Sequence, residues 1–145
     1  MFLALKNTLR IACLVAGCCI LGCGGNSLNQ VSGTITVDGA PAVGALVIYH
    51  PVGDGKMATG VADGQGKYQL VTDAEVGAPA GKYQVTVTWP DPNQKQDAGS
   101  LLSQASSEPG PDLLKGKFAK KSSSGLNAEI ASGAKELPAI AIKSK

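Results

Sequence analysis

Apolar and polar residues alternate along the chain in short runs that predict β-strands. Residues 31–37 place Val31, Ile35 and Val37 on one side and polar residues on the other. A period of two is typical of a strand with one buried face. Residues 81–89 alternate in the same way and end at a proline. Both segments therefore predict strands that face a core.

Further runs complete a predicted set of seven strands. Residues 45–49 are apolar on both faces, which indicates an interior strand. The remaining runs are 59–62, 67–72, 126–130 and 140–142. Because turn residues separate short strands at regular intervals, we predict an all-β fold, a seven-stranded Greek-key β-sandwich. Residues 59–62 and 67–72 are expected to pair as a β-hairpin.

The first 23 residues differ from the rest of the chain. Lys6 and Arg10 precede residues 11–22, an uncharged and largely apolar stretch that leads to Cys23. The order of positive, apolar and small residues is typical of a secretory signal peptide. The apolar stretch is shorter than the ~20 residues that a transmembrane helix needs. We therefore predict a cleaved signal peptide over residues 1–22.

The residues before two cysteines resemble a lipobox, the processing site of bacterial lipoproteins. Val15–Cys18 fits the four-residue pattern best, and Ile20–Cys23 fits it less well. Cys23 leaves the longer apolar core, and the polar sequence 24–27 after it is typical of a flexible tether. The resemblance implies a covalent diacylglycerol on the cysteine after cleavage. Cys23 is the favoured lipidation site, with Cys18 as the alternative.

These assignments divide the chain into three parts. After the signal peptide come a flexible tether over 23–29 and the sandwich domain over 30–145, which contains a long polar loop at 90–125. Loops of that length are uncommon in compact domains and are often functional. Leu113–Leu114 and Phe118 are the strong apolar positions of the loop. They predict that its second half packs against the sandwich.

The charge balance argues against nucleic acid as a partner. All 11 acidic residues follow the leader, and removal of Lys6 and Arg10 leaves 11 basic residues. A nucleic-acid-binding protein normally carries a basic face and an excess of positive charge. The densest basic run consists of Lys115, Lys117, Lys120 and Lys121. This run is a candidate surface contact for anionic lipid or glycan, and a solvated loop is the alternative interpretation.

Candidate catalytic and metal-binding residues are sparse. His50 is the sole histidine, and it stands at the end of a predicted strand without a second metal-type ligand at usable spacing. Asp54, Asp63 and Asp73 are single acids, whereas calcium loops carry several acids at short intervals. No catalytic residue, bound metal or cofactor is therefore expected beyond the covalent diacylglycerol.

Three motifs resemble the carboxypeptidase-regulatory-like, or transthyretin-like, β-sandwich domains. Residues 33–47 resemble the opening strand of these domains with its Gly-x-Pro turn. Residues 63–68 resemble their Asp-x-x-Gly-x-aromatic hairpin, and residues 80–87 resemble their Gly-x-Tyr strand. The resemblance implies an accessory role in binding, bracing or linking. The hydroxyisourate hydrolases of this fold end in Tyr-Arg-Gly-Ser, and this chain departs from them because it ends in Ala141–Lys145.

Together these features predict a non-catalytic, membrane-anchored envelope lipoprotein whose sandwich is a binding or structural module. The expected partners are membrane lipid, through the acyl anchor, and an envelope protein or polysaccharide. No Asp follows Cys23, which by resemblance to lipoprotein sorting signals favours the outer over the inner membrane. An accessory subunit of an envelope or secretion complex is the alternative function, and a hydrolase is the third.

Overall fold

The computed structural model describes residues 27–91 and 110–145 of the chain. A single helical turn, α1 (Lys121–Ser124), lies in these ranges. The strands are β1 (Ser32–Val37), β2 (Ala40–Pro41), β3 (Leu46–Pro51), β4 (Ala58–Val61), β5 (Lys67–Gln69), β6 (Val71–Thr72), β7 (Glu75–Val76), β8 (Gly81–Thr88), β9 (Leu126–Ile130) and β10 (Ile140–Ile142).

The strands form two sheets. The larger sheet has the order β7-β6-β4-β3-β8-β9 and is antiparallel throughout. The smaller sheet is built around β1, which pairs antiparallel with β2 and β5 and parallel with β10. The predicted all-β architecture with two sheets is therefore confirmed, and the run at 45–49 forms an interior strand, as expected.

Side chains that the alternation predicts to face the core are buried between the two sheets. Six residues predicted to point inward are at most 3% exposed: Val31, Ile35, Val37, Tyr83, Val85 and Val87. Burying one such side chain contributes about 1.5–3 kcal/mol. The period-two pattern therefore identifies residues whose burial contributes to the driving force for folding.

Three tyrosines meet in the core between the sheets. The Oη atoms of Tyr49 and Tyr68 are 2.9 Å apart and buried, so each hydroxyl has a hydrogen-bond partner. The ring of Tyr83 packs edge-on against that of Tyr49, with centroids 5.8 Å apart. Burial raises the pKa of Tyr49 and of Tyr68. The Tyr68 ring has space because Gly33 and Gly60 lie against it, and a Cβ on Gly60 would approach its Cδ2 to 3.0 Å.

The predicted strand over residues 67–72 divides at Leu70 between the two sheets. The part before Leu70, β5, pairs with β1, and the part after it, β6, pairs with β4. Leu70 itself is fully buried. Two parts of the expected hairpin are therefore present. At its turn Asp63 N donates to Lys67 O at 2.7 Å, and further along β4 pairs with β6. Between the turn and this pairing, β5 pairs with β1 in the smaller sheet.

The described residues form ten strand segments, where the sequence predicts seven strands. Each of the seven predicted runs contains strand, one of them is divided at Leu70, and β2 and β7 are additional. Both additional strands follow two-residue turns with positive φ. The φ angles are 50° at Asp38 and 86° at Gly39 in the first turn, and 50° at Asp73 and 68° at Ala74 in the second. Such turns match the twist of a hairpin. Strands of two residues are too short for alternation to reveal them.

The first described residues are attached near the start of β8. Asn29 N donates to Ala78 O at 2.8 Å, and Ala78 N donates back to Asn29 O at 2.9 Å. The side-chain oxygen of Asn29 also accepts a hydrogen bond from Gly133 N at 2.6 Å. Asn29, which the predicted boundaries assign to the tether, therefore connects two loops of the sandwich.

Candidate functional site

Residues 112–124, called the lysine segment below, cover the edge of the second half of β8. The edge strand β9 pairs with β8 no further than Val85. Beyond that point Val87 N donates to Phe118 O at 2.9 Å, and Leu113 N donates to Trp89 O at 2.8 Å. The segment therefore takes the place of a neighbouring strand without being one.

The carboxylate of Asp112 fastens the lysine segment to the end of β8. Its Oδ1 accepts hydrogen bonds from Trp89 N at 2.9 Å and Leu114 N at 3.0 Å, and its Oδ2 accepts one from Gly116 N at 2.8 Å. Hydrogen bonds to a charged acceptor are stronger than those between neutral groups. Asp112 was not predicted from the sequence, although an Asp side chain commonly accepts a hydrogen bond from the backbone two residues on, as Asp112 does from Leu114 N.

Apolar contacts hold the lysine segment against the sandwich. Leu114 is 4% exposed, and Phe118 packs against the core. The prediction that these two residues bind the loop to the sandwich is confirmed, whereas Leu113 is 41% exposed. The helical turn α1 ends at Gly125, whose φ of 63° is the left-handed conformation that commonly ends helices.

The predicted surface contact lies on this segment. All four of its lysines are exposed: Lys115, Lys117, Lys120 and Lys121. The one ion pair within residues 27–91 and 110–145 is Lys56–Asp73, at 2.7 Å. Lys117 Nζ lies 5.3 Å from the centroid of the Phe118 ring and donates to Lys145 O at 3.4 Å. The segment thus presents lysine side chains to solvent, and among the described residues none of them belongs to the ion pair found.

Charge is divided unevenly between the two described ranges. Residues 110–145 contain seven lysines and three acidic residues, a formal net charge of +4. Residues 27–91 contain three lysines and six acidic residues, a formal net charge of −3. The near-neutral balance expected for the mature chain therefore conceals a basic region, whose densest part is the lysine segment.

His50 lies beside the lysine segment on the outer face of the larger sheet. Its Nε2 is 3.0 Å from Thr86 Oγ1. Partial burial and the nearby charge of Lys121 lower the pKa of His50, so the ring is mainly neutral at neutral pH. Alternation predicts that Thr86 points to solvent, but it is only 4% exposed. The reason is that α1 packs against β8 on this side.

A groove of about 320 Å³ lies at the opposite end of β8, where the described chain begins. Leu28 and Tyr83 line it together with charged residues of both signs, including the Lys56–Asp73 pair. The side chains of this pair are 68% and 63% exposed, and exposed ion pairs contribute only about 0–1 kcal/mol. The groove mixes apolar side chains with charges of both signs, so the lysine segment is the stronger candidate for a functional site.

The two candidate lipidation sites, Cys18 and Cys23, lie outside the described residues, as do residues 92–109 of the predicted long loop. In the described ranges, no helix has the length and apolar character needed to cross a membrane. The same ranges hold no cluster of three His, Cys, Asp or Glu side chains that could bind a metal ion.

Comparisons with protein-family models, with curated proteins and with solved structures found no match to the chain. The resemblance to carboxypeptidase-regulatory-like domains is thus carried by residues 33–47, 63–68 and 80–87 alone. The function is therefore inferred from the chain's own residues and their arrangement.

Proposed function

We propose that this protein is an exported lipoprotein whose β-sandwich is a non-catalytic binding or structural module at a membrane of the cell envelope. The observation that carries the proposal is the order of positive, apolar and small residues that ends in Ile20–Cys23. A diacylglycerol on Cys23 would hold the domain at the membrane, with no metal or dissociable cofactor. Each buried CH₂ contributes about 0.8 kcal/mol, so two or three acyl chains suffice for stable attachment.

The attachment of the N-terminal chain supports this arrangement. Asn29 is held at one end of β8 by Ala78 and Gly133. An anchor that enters there leaves the lysine segment, at the other end of the same strand, open to a partner. The exposed lysines of this segment support a binding role, because a concentration of positive charge attracts anions.

We also propose that the sandwich has the Greek-key topology of the transthyretin-like domains. Two glycines of the motifs adopt conformations that other residues rarely take, which supports the resemblance to these domains on which the proposed topology rests. Gly39 has a φ of 86° in the β1–β2 turn, and Gly66 has a φ of 74° next to the carbonyl oxygen of Ile35. An experimental structure with a different strand order would reject the topology.

The test of the anchor is the intact mass of the protein extracted from membranes. We expect a chain that begins at Cys23 and carries a diacylglycerol, with or without an additional N-acyl chain. Cys23→Ser should accumulate unprocessed, and the matched control Cys18→Ser should mature normally. The reverse result would move the anchor to Cys18. Protein without lipid in the soluble fraction would refute the proposal.

The membrane itself is tested by fractionation. Because no Asp follows Cys23, we propose the outer membrane as the destination. We expect the lipidated protein to fractionate with outer-membrane markers. Recovery with inner-membrane markers would reject the destination but leave the anchor intact.

A further inference from the structure

We infer that the lysine segment binds an anionic polysaccharide of the cell envelope and not the bilayer in which the chain is anchored. The inference rests on the proposed lipid anchor for its orientation, and it specifies the partner that the sandwich binds. Four arguments support it: charge, rigidity, the character of the exposed surface, and reach.

The positive charge of the segment is concentrated. Its four exposed lysines fall within seven consecutive positions, from Lys115 to Lys121. Among the described residues the ion pair found is Lys56–Asp73, which lies outside this segment. A surface of this kind attracts a polyanion and not a neutral glycan.

The segment is fixed before a ligand arrives. Three backbone N–H groups bind the Asp112 carboxylate. Leu114 is buried, and Ser123 Oγ donates to Lys117 O at 3.0 Å. A ligand therefore does not need to order the backbone that carries the lysines, which reduces the entropic cost of binding.

The exposed surface lacks the anchors that protein partners use. Interfaces between proteins depend on aromatic and large apolar residues seated in pockets. Phe118 is half-buried and lies beneath the ammonium group of Lys117, which leaves Leu113 as the large apolar side chain of the segment that is clearly exposed. Lysines and the hydroxyls of Ser122 and Ser123 suit a hydrated chain of acidic sugars instead.

The reach of the tether sets the orientation. Leu28 lines the groove at the start of β8, and the lysine segment is bonded to Trp89 just past the other end. The eight residues of β8 span about 23 Å at about 3.3 Å per residue. The chain from Cys23 to Leu28 extends at most about 18 Å. If β8 stood upright with Lys115 at the bilayer, Leu28 would lie beyond that reach, so an upright domain holds Lys115 away from the bilayer.

Binding is tested with the lipidated full chain in phosphatidylcholine vesicles and fluorescent polygalacturonate, a uronate polymer, by co-sedimentation. The test variant replaces Lys115, Lys120 and Lys121 with Gln. The control replaces the exposed Lys67, Lys82 and Lys135 with Gln and so loses the same charge. Lys117 is retained in both because it contacts Phe118 and Lys145.

We expect the test variant to bind at least about tenfold more weakly than the wild type, while the control stays within about twofold. Wild-type binding should also weaken as salt is added, because salt screens exposed charges. Equal losses in both variants would show a response to net charge only and would overturn the inference. Absence of wild-type binding would overturn it as well.

Orientation is tested with single thiols on the lipidated chain, whose anchor sulfur is blocked by its thioether bond to the diacylglycerol. A fluorophore on Asp54→Cys, in the groove at the anchored end, should be quenched by spin-labelled lipid headgroups. A fluorophore on Ser122→Cys should not. Equal or stronger quenching at position 122 would identify the bilayer as the partner of the lysine segment and overturn the inference.

The two proposals fail in distinguishable ways. If the intact mass shows no lipid, the lipoprotein proposal fails, and the polymer experiment can be repeated with the soluble protein. If the protein is lipidated but the test variant binds like the control, the lipoprotein proposal stands and the inference about the lysine segment fails.

Discussion

The two halves of β8 are bonded along the same edge in different ways. Gly81–Val85 pairs with β9 in a regular antiparallel ladder. Val87 and Trp89 instead bond to the lysine segment, through one backbone bond each and through the carboxylate of Asp112. One half thus depends on backbone groups that every residue supplies, and the other depends on two backbone bonds and on the carboxylate of one side chain.

The difference shows where stability is concentrated. In a ladder, the loss of one solvent-facing side chain leaves every backbone hydrogen bond in place. In the irregular half, the carboxylate of Asp112 accepts hydrogen bonds from three backbone N–H groups. Backbone donors left without an acceptor are costly when they are shielded from water. The predictions below test this contrast, beginning with the largest expected effect.

Asp112→Ala should lower the free energy of unfolding by about 2–3 kcal/mol, because three backbone donors lose a charged acceptor. Chemical denaturation measures the loss. Amide hydrogen exchange should accelerate at Trp89, Leu114 and Gly116, whose N–H groups donate to the carboxylate. Protection of the amides in the β9-covered half should change less.

Glu129→Ala is the matched control on the regular half. Glu129 is exposed and lies opposite Lys82 in the β8–β9 ladder. Its removal should change the free energy of unfolding by no more than about 0.5 kcal/mol. A loss as large as that of Asp112→Ala would contradict the contrast between the two halves.

Asn29→Ala should cost about 1–2 kcal/mol. The side chain of Asn29 accepts from Gly133 N at 2.6 Å and donates to Ala78 O at 3.2 Å. This side chain joins loops at the start of β8 as Asp112 does at its end, but it is uncharged and makes fewer bonds. Thermal unfolding compares the variant with Ser27→Ala, at an exposed neighbouring position. Equal stability of the two variants would refute the prediction.

The smallest expected effect is a dependence on pH at the β4–β5 turn. Backbone N–H groups of Gln65 and Lys67 donate to the Asp63 carboxylate and hold its pKa below the ordinary 3.8. The unfolded state therefore binds more protons in acid. The stabilisation is present above that ordinary value and disappears as the pH falls through the lower pKa of the folded state.

Asp63→Asn isolates this charge because it keeps a side-chain oxygen at the same position. We expect the variant to be less stable than the wild type at neutral pH. The difference in the free energy of unfolding should shrink at an acidic pH below 3.8, because the Asp63 carboxylate takes up a proton as the pH falls. Urea denaturation at the two pH values measures it. A difference that does not change with pH would show that the charge contributes nothing.

Alternation predicted the core well because it depends only on which face of a strand is buried. Val85 and Val87 follow it equally, although one lies in the ladder half and the other in the irregular half. The pattern does not identify the neighbour at a strand edge. Thr86 shows this limit: its predicted outward direction is consistent with its place opposite Ile48, but the segment that covers it comes from a distant part of the sequence.

The candidate site was predictable as a composition and not as an arrangement. The lysine run was expected at the surface, and its four side chains are exposed. Its position beside His50 and the role of Asp112 depend on contacts between residues far apart in sequence, which a local pattern does not contain. The lipid anchor at Cys23 stays a prediction.

The division of one predicted strand at Leu70 has a consequence for how the protein comes apart. One residue separates β5 from β6, so this short stretch of backbone contributes a hydrogen-bonded strand to each sheet. Peeling one sheet from the other would break pairing on at least one side of Leu70. We therefore expect a single thermal unfolding transition for the described sandwich. We expect no partly unfolded state in which one sheet is open to proteolysis while the other stays folded.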